Sequence, residues 1–314
     1  MGDHILPQVL LRGFKINNPK NKNNSVIRIL TKDAVKQLKI VNAYQKEEFY
    51  TRFIETQLNR SFENKFGIIK ELLKESIEKE KGRQIEFSMS RYMQLLKFFV
   101  VMWRRSDVQI EQMENMLKSV LDNKIIRENM MKEFKNKPTD EFISEKNEIL
   151  KTGFYSKMIK ETNNKDKTVL KMLNNYNPLI IYNTSDISFP LHNKYATVIQ
   201  TNNSDEEYPL LSIQPITDRI FLLYFNKDKF VGPRDFLEKD KVKMDVLNVD
   251  SRQKIKSLIN IYIITSANSV VIDDSNYSIV RKRLLTQTNE HKMALKNALR
   301  DFVKECGYRF SKDM

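Results

Sequence analysis

The sequence predicts an α+β fold: a helical N-terminal half, a small antiparallel or mixed β-sheet in the middle, and helices at the C-terminal end. Three observations carry this. Apolar residues recur at spacings of three and four from Phe49 to Ile77, which is one face of a helix. After Pro178 the pattern changes to short β-branched and aromatic runs, PLIIYNTSDISFPL, ATVIQT, YPLLSI and RIFLLYF, bounded by Asn, Ser, Asp and Pro, as strands are. Helical spacing returns at Ser251–Ala267 and again at about 289–305.

Taken in order, residues 4–16 are an apolar entry in which Pro7 favours an extended or turn conformation. Residues 16–25 are a polar loop, and SVIRIL (25–30) alternates as a strand does. A basic segment leads to Ala43, then one helix is expected from Glu47 to about Lys81, with Gly82 suited to its end. A second runs from about Ser88 to Arg104. Its longest uninterrupted apolar run, Phe98–Trp103, is far short of the ~20 residues that cross a bilayer, so it reads as a buried core helix. A third is expected at about 107–122, helical pattern continues over 123–152, and SVVIDD (269–274) reads as a further strand. Residues 1–280 are expected to form one domain (helical over about 47–152, β-rich over about 178–274), followed by a basic C-terminal helix over 281–314.

The chain has 314 residues, 40% of them hydrophobic, enough for a sizeable core. Cys306 is the single cysteine, which excludes an internal disulfide and a Cys-rich zinc site and suits a reducing compartment. The N-terminus has no signal-peptide pattern. A cytoplasmic protein with no membrane partner is expected.

The net charge of +14 is segregated: nine basic residues against Asp33 between Arg12 and Lys46, and nine against three acids between Arg281 and Lys312. These segments, +8 and +6, account for the whole excess. Segregated basicity favours a polyanion partner, because cations beside phosphates gain from counterion release; the alternative is a solvated basic surface. Lys15, Lys36 and Lys39 in the first segment, and Lys292, Lys296, Arg300 and Lys304 in the second, are the candidate nucleic-acid contacts. The last four recur every four residues and cover one broad helix face.

Phosphate-loop, GxGxxG, HExxH, CxxC and G-x-S-x-G patterns are absent. His4 stands in a compact segment with Arg12 and Phe14 downstream, and histidine is the natural proton carrier near neutral pH. Glu55 and Glu63 are eight residues apart, within roughly 80° on an ideal helix; with Asp186 they could form a pocket for Mg²⁺. Arg105 ends the buried helix, where it either complements the helix dipole or clamps a phosphate.

The opening His4-x-x-Pro7-Gln8-x-x-Leu11-Arg12-x-Phe14 resembles the signature start of domain-of-unknown-function family 4238. Further blocks resemble that family in order: Phe49-Tyr50 with Glu55 and Glu63, Trp103-Arg104-Arg105, Pro178 to Asp186, Ser212 to Thr217, and Asn260 with Ala267-Asn268-Ser269-Val270. The resemblance spans about 3–272 and leaves 281–314 outside. Ile187-Ser188 stand where the family usually has Asn-Pro. The family is mostly bacterial, its members look like accessory or defence-type proteins, and its recurrent His, Glu, Arg and Asp imply one shared site.

The expected function is a nucleic-acid-acting bacterial defence or toxin-type protein, a nuclease on RNA rather than DNA. His4 would be the proton carrier, Arg12 and Arg105 would stabilise phosphate charge, and Glu55, Glu63 and Asp186 would orient the site or hold Mg²⁺. The alternatives are a non-catalytic nucleic-acid-binding module, and a subunit that binds a protein partner in an anti-phage defence complex.

Overall fold

The computed structural model describes residues 3–4, 6–17, 24–46, 52–79, 84–105, 155–162, 167–195, 197–199, 211–231, 237–238, 240–263, 269–285, 301–304 and 306–310, with isolated positions between 115 and 153. The helix expected at 107–122 and the helical stretch 123–152 therefore lie almost wholly outside the described residues.

Strand β1 (Asp3–His4) pairs with β4 (Gln45–Lys46), and between them α1 (Gln8–Leu11) begins directly after Pro7. Strands β2 (Val26–Thr31) and β3 (Val35–Lys39) form an antiparallel hairpin whose turn is closed by Thr31 N–H donating to the Ala34 carbonyl at 2.9 Å. The long helix consists of α2 (Arg52–Leu58), a π turn (Asn59–Glu63) and α3 (Asn64–Lys79). Its buried stripe is Ile54, Leu58, Phe62, Phe66, Ile69, Leu73 and Ile77. Three consecutive spacings of four would drift roughly 40° each on an α-helix. The wider π turn absorbs that drift and keeps the stripe on one side.

After β5 (Gln84–Ser88), the Ser88 hydroxyl caps α4 (Met89–Arg104) by accepting from Arg91 N–H at 3.4 Å. Phe98 of α4 stacks on Phe66 of α3, with ring centroids 3.7 Å apart. Then follow α5 (Lys167–Asn175), β6 (Tyr176–Asn183), β7 (Leu191–His192), β8 (Thr197–Ile199), β9 (Leu211–Pro215) and β10 (Ile220–Asn226). The rest of the described chain is β11 (Phe230–Val231), β12 (Leu237–Glu238), β13 (Lys241–Val249), α6 (Arg252–Ile263), β14 (Ser269–Ile272), α7 (Tyr277–Leu285) and β15 (Arg309–Phe310).

Two main sheets result. One has four strands in the order β3–β2–β14–β7; the other has seven, β12–β13–β6–β10–β9–β8 with β5 paired to β13. Within them the pairing is antiparallel except between β13 and β6. Strands β9 and β10 are buried at every position, so both faces of their sheet are covered. Successive residues alternate between two cores. Ile180, Leu222 and Tyr224 join the helices α1–α4 in the first, while Leu179, Ile181, Phe221 and Leu223 join α6 and α7 in the second. The smaller sheet divides in the same way, Ile27, Ile29 and Val271 facing one core and Leu30, Val270 and Ile272 the other.

This corrects the expected α+β order of helices, small sheet, helices. The fold is mixed α/β: strands β2, β3 and β5 from the first ninety residues enter both sheets, and helices occur along the described chain on both sides of the sheet layer. The reason is physical. Gln84–Ser88 has only two buried residues, Ile85 and Phe87, too short a period-two signal to stand out between two long helices. Lys241–Val249 hides its alternation behind outward lysines, with Val242, Met244 and Val246 inside. Among the described residues no helix is long and apolar enough to cross a membrane.

Candidate functional site

The site is built where the N-terminal segment docks on the turn between β9 and β10. Gly13 accepts at its carbonyl from Asp218 N–H at 3.0 Å, and the Asp218 carbonyl accepts from Phe189 N–H at 2.8 Å. A Cβ at Gly13 would stand 2.8 Å from the Ile216 carbonyl oxygen, so the backbones approach this closely only because residue 13 is glycine. Thr217 shapes the turn: its hydroxyl accepts from Arg219 N–H at 3.1 Å and Ile220 N–H at 3.0 Å.

Beside this junction opens a cleft of about 430 Å³ at the seam between the two sheets. Lys15 and Ile16 line one wall, Ser188 and Phe189 the floor, Asp218 and Arg219 a second wall, and Asp273–Asn276 at the end of β14 the third. The third wall is rigid. Asp273 Oδ1 accepts from Ser275 N–H at 2.8 Å, from its hydroxyl at 2.6 Å and from Asn276 N–H at 3.2 Å. The floor is tied to that wall, with Ser188 N–H donating to Ser275 Oγ at 2.8 Å and Asn276 Nδ2 donating to the Ser188 carbonyl at 3.0 Å. Proline, expected at 188 from the family resemblance, has no N–H for the first of these bonds.

Partial burial pushes the Asp218 carboxyl above its usual pKa; Arg219 opposes this, Asp273 adds to it and Lys74 opposes it. The Asp218 side chain remains 39% exposed, with Arg219 Nε 3.8 Å from its Oδ2. Arg219 also donates to the Ser185 carbonyl, which ties the Thr184-Ser185-Asp186 block to the cleft wall. A carboxyl of raised pKa that lines a cleft beside cations is an arrangement that proton transfer uses.

The residues expected from sequence fall in several places. Arg105 and Glu63 meet in an ion pair of 2.7 Å, with side chains 0% and 10% exposed. Glu55 lies eight residues earlier on the same helix, before the π turn, half-buried. Each residue of the wider turn advances less than an α residue, so Glu55 and Glu63 project closer together than the expected angle. Asp186 is apart from them, exposed and paired with Arg252 at 3.0 Å. Among the described residues no group of three or more His, Cys, Asp or Glu could hold a metal. His4 is placed by its backbone, opposite Gln45 in the β1–β4 pair. Arg12 donates to Gln8 Oε1 at 3.1 Å, and Lys15 lines the cleft. Lys36 and Lys39 are exposed on β3, at the edge of the four-stranded sheet. Lys304 is helical and exposed, whereas Lys292, Lys296 and Arg300 lie outside the described residues. Sequence reading did not single out Ser188, Asp218, Arg219, Asp273, Lys70 or Lys74. The available signal was position: Thr217-Asp218-Arg219 and Asp273-Asp274 directly follow strands, where functional loops concentrate.

Residues 3–303 match the family described as Protein of unknown function (DUF4238). The chain belongs to that family. The family match runs beyond 272, so residues 281–303 lie inside it rather than outside, as the resemblance had implied. It takes in all the segments that line the cleft. No curated protein and no solved structure matches the chain.

Proposed function

We propose that this chain binds RNA across the cleft and cleaves its phosphodiester bonds, with Asp218 as the proton-transfer group. The observation that carries this is the Asp218 carboxyl, partly buried and raised in pKa on the wall of a cleft that Lys15 and Arg219 also line, in a chain of net charge +14. Asp218 takes the part expected of His4. It accepts the proton of the ribose 2′-hydroxyl as that oxygen attacks the phosphorus; the P–O5′ bond breaks and the leaving 5′-oxygen takes a proton from solvent, while Lys15 and Arg219 face the charge that develops on the phosphate. Glu63 and Arg105, buried together, hold the long helix against the end of α4.

The test is incubation of the purified chain with a labelled single-stranded RNA and the DNA of the same sequence. The RNA is expected to be cut and the DNA left whole. Asp218→Asn should lower the rate by about 10²-fold or more while RNA affinity is kept. The acid-side limb of kcat/KM should fall at a pH above the ordinary carboxylate value, because the base must be ionised and its pKa is raised. A second reading, RNA binding without cleavage, is favoured by the commitment of Asp273 Oδ1 to three donors of its own turn. That reading takes over if the wild-type chain retains RNA but leaves it intact.

A further inference from the structure

Three cations, Arg12, Lys15 and Lys70, lie on the N-terminal segment and on the helix α3 it packs against, and Lys15 among them lines the cleft. Lys70 of α3 is 8% exposed. Its ammonium donates to the Val9 carbonyl at 3.1 Å, and the carboxylate beside it, Glu71, is 3.6 Å away and 63% exposed. Burial lowers the Lys70 pKa; Glu71 opposes this, and the charges of Arg12 and Lys15 lower it further, in keeping with Lys70 reaching the Val9 carbonyl on α1, the helix that Arg12 directly follows. Arg12 gives one N–H to Gln8, but its Nε is buried and has no hydrogen-bond partner. A buried guanidinium N–H without an acceptor costs stability, and burial of the Lys70 ammonium is only partly offset by a carboxylate as exposed as Glu71. Lys15, exposed on the cleft wall, joins this group to the open space.

We propose that Arg12, Lys15 and Lys70 form a seat for a single phosphate group at the side of the cleft. The proposal rests on reading the cleft as a phosphate-handling site, but it does not require Asp218 or cleavage. Arginine supplies the planar fork and the two lysines supply point charges, and burial at Lys70 makes its bond stronger than it would be on an open surface. The phosphate could belong to an RNA backbone or be a free phosphate, since both present the same oxyanion.

The experiment compares melting of the full chain in inorganic phosphate and in chloride at matched ionic strength, with titration calorimetry for Kd. Wild type should gain several degrees in phosphate over chloride, with saturation. Arg12→Gln and Lys70→Met should each bind phosphate about tenfold more weakly or worse, the loss expected for one charge-assisted hydrogen bond. Lys15→Gln, at an exposed position that cannot upset folding, should also reduce the gain. Asp218→Asn should keep it, which separates this proposal from the cleavage reading. A parallel loss of RNA affinity in the three variants assigns the seat to a backbone phosphate; unchanged RNA affinity assigns it to a free one. If phosphate stabilises wild type no more than chloride does, or if all three variants keep the full gain, the seat does not exist.

Discussion

His192 and Asp218 show how one cause, burial, acts on opposite charges. The Lys194 N–H donates to His192 Nδ1 at 3.1 Å, which leaves the proton of the neutral ring on Nε2. The ring stacks on Tyr262 with centroids 4.1 Å apart and is 1% exposed. Burial, helped by Lys194, holds its pKa down to about 3, against about 6.5 in the unfolded chain. The folded imidazole stays neutral while the unfolded one takes up a proton. The stabilising contribution is therefore whole above pH ~6.5 and is lost as pH falls toward the folded value. Urea unfolding across that window should show stability declining with uptake of one proton, and His192→Phe should flatten the decline. An equally steep decline in the variant would assign the effect to other groups. At Asp218 the same cause penalises the anion instead. The fold holds one buried ring neutral and raises the pKa of one half-exposed carboxyl, which lines the cleft.

At the scale of elements, the π turn and the pair behind it are the clearest case of a local cost held by tertiary structure. Glu63, on the π turn, meets Arg105 just past the last residue of α4, both nearly out of water. Removing one partner leaves a buried charge, so Arg105→Met should cost about 3–5 kcal/mol. Adding Glu63→Leu should recover most of that loss, because the pair together roughly offsets its own desolvation. Denaturant unfolding of the two single variants and the double one reads this directly, and an additive double variant would mean that the residues do not act as a pair. The long helix, α4, β6, β10, α6 and β14 were legible from sequence because each carries a long apolar period or a dense β-branched run. The π turn was not read, though its signal was present as the four-residue spacings of Ile54, Leu58, Phe62 and Phe66. β3 and β5 were missed because an edge strand and a five-residue strand carry too few buried positions to set a period. Among the candidate residues, His4 and Arg12 came from the opening motif and Lys15 from the basic segment, and Arg105 with Glu63 do meet. Asp218 and Asp273 went unread because a lone aspartate in a turn looks like every other turn aspartate until another backbone docks beside it.

At the scale of the whole molecule, the basic segments divide their work. Arg28 pairs with Asp274 across the end of the smaller sheet, Lys36 and Lys39 guard its edge strand β3 as edge lysines do, and Lys15 lines the cleft. Only part of the N-terminal excess thus borders the cleft. The sheets themselves bind two cores into one unit, since adjacent residues of a single strand serve different cores. Leu222 faces the first and Leu223 the second, each 0% exposed. Truncating either to alanine should cost about 2–5 kcal/mol. If the cores were independent, each loss would stay on its own side. Because β6 and β10 belong to both, loss of either core removes one face of the strands that the other needs, and the described fold should open in one cooperative step. Hydrogen exchange followed in peptides from α4 and from α6 tests this. Leu222→Ala and Leu223→Ala should each lower protection in both helices by the same free energy; protection lost only in α6 for Leu223→Ala, or only in α4 for Leu222→Ala, would show two separately unfolding halves.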